Sequence, residues 1–214
     1  AGLTYLSNPP GRGDLGPGYS LNDHAVGLSA AFAVLAALQS RGESGLGQHV
    51  DISQMETGGY LIGPALIDML NNGREAQPIG NRDPYGLIVP NDCFRTADGE
   101  WLAVSCRDDD EWSALVLATG IEAAGLERLE DRRTRIDELD ELVGAWAASV
   151  KAEAGQEMLQ RVGVPAGRIQ DAGDLMADPQ LVSREMWSTF EHATFGTRPF
   201  DRYPAIWSAM SLEP

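Results

Sequence analysis

Residues 21–57 read LNDHAVGLSAAFAVLAALQSRGESGLGQHVDISQMET, and the reading of this stretch decides the fold. Asn22 and Asp23 are good N-cap residues, and the run behind them, HAVGLSAAFAVLAALQSR, predicts a helix of about 17 residues. Its apolar positions cover nearly every face, so it is expected to be buried. Small residues along it (Gly27, Ala30, Ala31, Ala33, Ala36, Ala37) allow neighbouring backbones to come close. GESGLGQ at 42–48 is a glycine-rich turn, and HVDISQ at 49–54 alternates like a strand. The glycines at 45–48 follow a helix and precede a strand. That is the reverse of the nucleotide-binding order, so they are not a phosphate loop.

Upstream, residues 1–20 hold Pro-rich turns and glycines and predict an extended approach segment without helix or regular sheet. Downstream, METGGYLIGPALIDMLNNG predicts helix broken near Gly58, Gly59, Gly63 and Pro64. A turn-rich linker follows at 73–86. From residue 87 the texture changes. LIVPNDCFRTADGEWLAVSC predicts a hairpin turning at Asp-Gly, and DDDEWSALVLATG a helix with acids in its first turn. Residues 132–149 and 151–162 predict two amphipathic helices, the first read as solvent-facing from its alternating charges. VPAGRIQ is a short strand, DAGDLMADPQLVSREM a helix-turn-helix, and WSTFEHATFGTRPF a second hairpin.

The 214 residues carry 32 acids against 16 bases, a net charge of −16. Such a field repels nucleic acid and anionic membrane surfaces, so neither is expected as a partner. No run approaches the roughly 20 apolar residues of a membrane span. No basic-then-apolar leader opens the chain, which points to the cytoplasm. Cys93 and Cys106 lie in neighbouring candidate strands without metal-ligand spacing and read as buried or half-buried thiols. His24, His49 and His192 are scattered, so no metal is expected. The run Asp108–Glu111 reads as a solvated helix start, and Trp101, Trp112, Trp146 and Trp187 as core or interface anchors.

Asp23 on local grounds is a structural cap. It has a second reading, because a carboxylate at a helix N-terminus is held ionised and can serve as nucleophile or base. Four blocks bear on the choice: 21–57, quoted above; PIGNRDPYG at 78–86; FRTADGEWLAVSCRDDDEW at 94–112; and LQRVGVPAGRIQDAGDLMADPQLVSREMW at 159–187. Their order and content resemble the family III CoA-transferases, the enzymes related to carnitine CoA-transferase, formyl-CoA transferase and alpha-methylacyl-CoA racemase. The blocks span most of the chain.

The resemblance implies an α/β fold. Residues 1–56 would be part of a Rossmann-like large domain (buried helix plus strand) and 57–79 a linker. Residues 80–186 would be a small α+β domain with antiparallel hairpins, and 187–214 a returning linker. It implies that Asp23 is the catalytic aspartate, attacking an acyl-CoA thioester and carrying CoA to a carboxylic acid through a covalent aspartyl intermediate. Gln54 and Met55 become candidate contacts to coenzyme A, and Asp108 a possible secondary acid.

The racemase branch is an alternative, with racemisation, isomerisation or dehydration of an acyl-CoA. Its histidine lies further upstream than this chain extends, and Asp108 stands where that branch has a glutamate. The glycine run of the formyl-CoA branch is absent. Family members are about twice this long, so the chain resembles their second part, without the half that supplies most CoA contacts. An interlocked homodimer, or pairing with such a half, is therefore expected. A third reading, from a different class, is a non-catalytic partner or fragment that folds only by docking onto a Rossmann-bearing half.

Overall fold

The computed structural model describes residues 2–12, 16 and 18–210. It is a mixed α/β chain in which one well-packed unit adjoins a long, poorly covered helix. A single turn, α1 (Leu3–Leu6), opens it where no helix was expected. Its end is tied locally, with Asn8 Nδ2 donating to the Thr4 carbonyl at 2.8 Å. Tyr5 Oη donates to Gln77 Oε1 at 2.6 Å and fastens this turn to the linker.

Helix α2 (Leu21–Ser44) is longer than predicted at both ends. The Ser20 carbonyl accepts the N–H groups of Asp23 at 3.0 Å and His24 at 3.2 Å, so the first turn closes early. Ser20 is therefore the N-cap, and Asp23 lies inside the first turn, which corrects the reading of Asp23 as the cap. At the other end Gly45 takes a left-handed conformation (φ 73°) and returns its N–H to the Arg41 carbonyl. The expected burial is also corrected: no residue of α2 is buried, and Leu28 and Phe32 are 69% and 75% exposed. By length and composition alone the helix would suffice to cross a membrane, with an 18-residue window of mean hydropathy 1.4. The sequence reading that no run approaches that length is corrected accordingly.

Residues 49–53 are extended but form no strand, because no neighbouring strand among the described residues pairs with them. Helix α3 (Gln54–Leu61) follows and packs on α2; α4 (Gly63–Asn72) comes next. The break between them falls at Ile62, ahead of Pro64, where the glycines and proline predicted it.

The core lies in the unit that begins near residue 87. Strands β1 (Asn91–Arg95) and β2 (Trp101–Ser105) pair antiparallel, Asn91 opposite Ser105, and the predicted hairpin is present. After it come α5 (Asp109–Thr119), α6 (Leu129–Thr134), α7 (Ile136–Ala147) and α8 (Ala152–Arg161). Strand β3 (Ala166–Arg168) then adds antiparallel to β2, giving the order β1-β2-β3. The sheet and helices enclose Val89, Phe94, Leu102, Val104, Trp112, Leu115, Leu126, Leu139, Val143, Leu159 and Val164. Helix α7 thus gives one face to the core through Leu139, Val143 and Ala147, and its reading as simply solvent-facing is corrected. Gly155 lets α8 lie against β2, since a Cβ there would meet Leu102 Cδ2 at 2.9 Å.

Arg132 is fully buried, a burial that its alternating-charge context conceals. Its guanidinium donates to the carbonyls of Val89 (2.9 Å) and Glu127 (2.9 Å), pairs with Asp109 at 2.9 Å and lies over the Trp112 ring. Buried charge is tolerated where it is paired and hydrogen-bonded in this way. The chain ends in α9 (Ala172–Ala177), α10 (Pro179–Ser183) and the predicted second hairpin, β4 (Trp187–His192) with β5 (Gly196–Asp201).

Candidate active site

Asp23 is solvent-exposed in the first turn of α2, where backbone N–H groups and the helix dipole favour an anion. Its Oδ1 accepts a hydrogen bond from Nε2 of Gln54, the first residue of α3. Two residues far apart in sequence meet because α3 folds back onto α2. Next to Asp23, the His24 and Tyr19 rings stack 4.6 Å apart and 2° from parallel. Asn22 Oδ1 is buried and accepts no hydrogen bond from the described residues. The site is therefore an accessible carboxylate with one amide donor on it and an aromatic pair beside it.

The other candidates lie differently. Met55 is 73% exposed, one residue beyond Gln54. Asp108 caps α5, accepting the Glu111 N–H at 2.8 Å. The acids after it occupy the first turn, and Asp109 pairs with Arg132. Cys93 is half-buried and Cys106 buried, as expected. Burial pushes the Cys106 thiol up to about 12, with Glu111 adding to the effect, so it is no nucleophile near neutral pH.

Two of the sequence blocks hold architectural contacts. In PIGNRDPYG, Arg82 binds Asp140 (2.6 Å) and Asp137 (2.6 Å) on α7, which anchors the linker to the packed unit. Burial raises Asp140 against the opposing pull of Arg82. In the hairpin loop, Asp98 accepts from Thr96 Oγ1 at 2.6 Å and from the Ala152 N–H at 3.3 Å, so the loop caps α8 from outside. The Thr96 hydroxyl and these N–H groups hold the Asp98 carboxyl below its usual range.

This geometry can be set beside known proteins. The profile of CoA-transferase family III matches residues 1–214. The chain belongs to CoA-transferase family III. It is 31% identical over 188 residues to the succinyl-CoA–D-citramalate CoA-transferase of Chloroflexus aurantiacus, covering 86% of this chain and 46% of that relative. It is 27% identical over 204 residues to the alpha subunit of the succinyl-CoA–L-malate CoA-transferase of the same organism, covering 92% of this chain and 46% of that subunit. Among solved structures, a CaiB/BaiF family protein from Brucella suis superposes with a TM-score of 0.84 at 27% identity, over 99% of this chain and 55% of that one. The family III chain described here thus spans about half the length of the relatives it matches, and its mixed α/β architecture is that of the CaiB/BaiF fold.

Proposed function

We propose that this chain is the catalytic-aspartate part of a family III CoA-transferase that moves CoA from an acyl-CoA thioester to a carboxylic acid, with Asp23 as the nucleophile. The observation that carries the reading is the Asp23 carboxylate, exposed at the N-terminal turn of α2 within the family's sequence pattern. Its Oδ2 attacks the thioester carbonyl, the C–S bond breaks, and CoA leaves as thiolate. The product is a mixed anhydride. The thiolate attacks the aspartyl carbonyl, releasing the donor acid and leaving an aspartyl-CoA thioester. The acceptor carboxylate attacks that thioester and expels the thiolate, which takes the acceptor's acyl carbon and restores Asp23. Every step exchanges one acyl oxygen or sulfur for another, so no proton acceptor is needed.

The residues present fit the acyl end of the substrate better than its phosphates. The Tyr19–His24 pair offers an aromatic wall next to Asp23, and Met55 is an exposed apolar side chain one residue beyond Gln54. At a net charge of −16 the chain is a poor sole binder of a polyanion, and Arg74 and Arg82 are already paired with acids. The phosphates accordingly fall to a large-domain half, against which the exposed face of α2 packs. On this reading α2 is an internal helix of the assembled large domain, with 1–56 belonging to that domain, 57–79 linking, 80–186 forming the small domain and 187–214 returning. The chemistry is cytoplasmic. The activities of these relatives favour succinyl-CoA-type donors and small hydroxy-acid acceptors.

The test is Asp23→Ala in the complete enzyme. Exchange of CoA between acyl-CoA and free acid should fall by at least about 10³-fold. Retained exchange overturns the assignment. Deuterium entering the substrate alpha carbon without CoA exchange would instead point to the racemase chemistry of the family.

A further inference from the structure

The hydrogen bond from Gln54 to Asp23 has no role in the chemistry above, yet it is built with care. Ser53 caps α3 by accepting the Glu56 N–H at 3.2 Å, and Thr57 Oγ1 donates to the Ser53 carbonyl at 3.0 Å. Gln54 therefore stands at the first helical position on a fixed backbone. Its amide Nε2 reaches Oδ1 of Asp23. The neighbouring side-chain oxygen, Asn22 Oδ1, does not take this donor.

We propose that Gln54 is a catalytic residue of the same reaction: its amide reserves Oδ1 of Asp23, directs attack through Oδ2, and stabilises the oxyanion that forms on Oδ1. This inference rests on Asp23 being the nucleophile. With Oδ1 engaged by the amide, Oδ2 has the freer lone pairs and forms the bond to the thioester carbon. In the mixed anhydride Oδ2 is the bridging oxygen and Oδ1 the remaining carbonyl of the aspartyl group. When CoA thiolate attacks Cγ, the carbonyl electron pair moves onto Oδ1. The tetrahedral species collapses, the Cγ–Oδ2 bond breaks, and the donor acid departs carrying Oδ2. Attack of the acceptor carboxylate on the aspartyl thioester puts the same negative charge on Oδ1 again before thiolate leaves. Negative charge therefore develops on Oδ1 in two successive steps, at the atom where the Gln54 N–H is aimed. A donor fixed in advance at such an atom accelerates the steps that charge it and contributes little to ground-state binding.

The experiment uses the complete enzyme with acyl-CoA donor and free acid, comparing wild type, Gln54→Met, Gln54→Glu and Asp23→Ala. Gln54→Met keeps the volume and removes the donor. It should lower kcat by about 10²-fold while KM for acyl-CoA stays within about threefold. Gln54→Glu puts an acceptor where the donor stood and should lower kcat at least as far. Gln54 is exposed, so both variants should melt like wild type. Unchanged kcat in Gln54→Met, or a loss carried by KM with kcat intact, overturns the role of Gln54 while leaving Asp23 in place. Activity in Asp23→Ala overturns both.

Discussion

Asp23 carries two properties that pull in different directions: it helps a helix begin, and it is left exposed to solvent with a single side-chain donor. A carboxylate serving only the helix would be expected to bond backbone N–H groups, as Asp108, Asp171 and Asp178 do elsewhere in the chain. Cys106 is the contrasting case, a potential nucleophile disarmed by burial. Its ordinary value is 9.0 and its folded value about 12. The fold thus favours the neutral thiol. The stability this contributes is complete below about pH 9 and is lost as pH rises through 12, at up to ~1.4 kcal/mol per pH unit in between. Denaturant midpoints measured from pH 8 to 11 should fall with that slope, and Cys106→Ala should flatten it. An identical slope in the variant would show that other groups set the alkaline limit. The candidacy of Asp23 was legible from its place at the start of an apolar helix within a recognisable block. Its partner Gln54 could not be linked to it from sequence, because the contact depends on how α3 folds back on α2. The burial of Arg132 was illegible for a related reason: its carbonyl partners at Val89 and Glu127 exist only once the loop before β1 closes over α6.

Elements with local signals were predicted well. The hairpins, the break at Ile62 and the helices α5 and α9 all rest on residues within a few positions of one another. Two elements were misread because their state depends on what lies beside them. Residues 49–53 alternate like a strand, but a strand needs a hydrogen-bonding neighbour, and none pairs with them among the described residues. Helix α2 is apolar all round, which predicts burial, yet Leu28, Phe32 and Leu35 are exposed. Both belong to the segment proposed above as part of the large domain. The hairpin loop gives an element-scale prediction. Lys151 makes no side-chain cap to α8, and Asp98 supplies the carboxylate from across the fold. Asp98→Ala should therefore lower the thermal midpoint. An unchanged midpoint would mean that the bond to Ala152 is immaterial to α8.

At the scale of the whole molecule, stability and function separate. The hydrophobic core lies between Val89 and Val164, whereas Asp23 and Gln54 stand on helices with almost no buried residues. The packed unit supplies a scaffold, and the proposed nucleophile Asp23 is presented on an exposed helix. The most direct measurement is chemical trapping. The complete enzyme is incubated with acyl-CoA without acceptor, quenched with hydroxylamine, digested, and the peptide containing residues 21–41 is sequenced by mass spectrometry. The account predicts a hydroxamate on Asp23, absent when acyl-CoA is omitted. An unmodified Asp23 in enzyme that still exchanges CoA, or a hydroxamate on another acid, would contradict it.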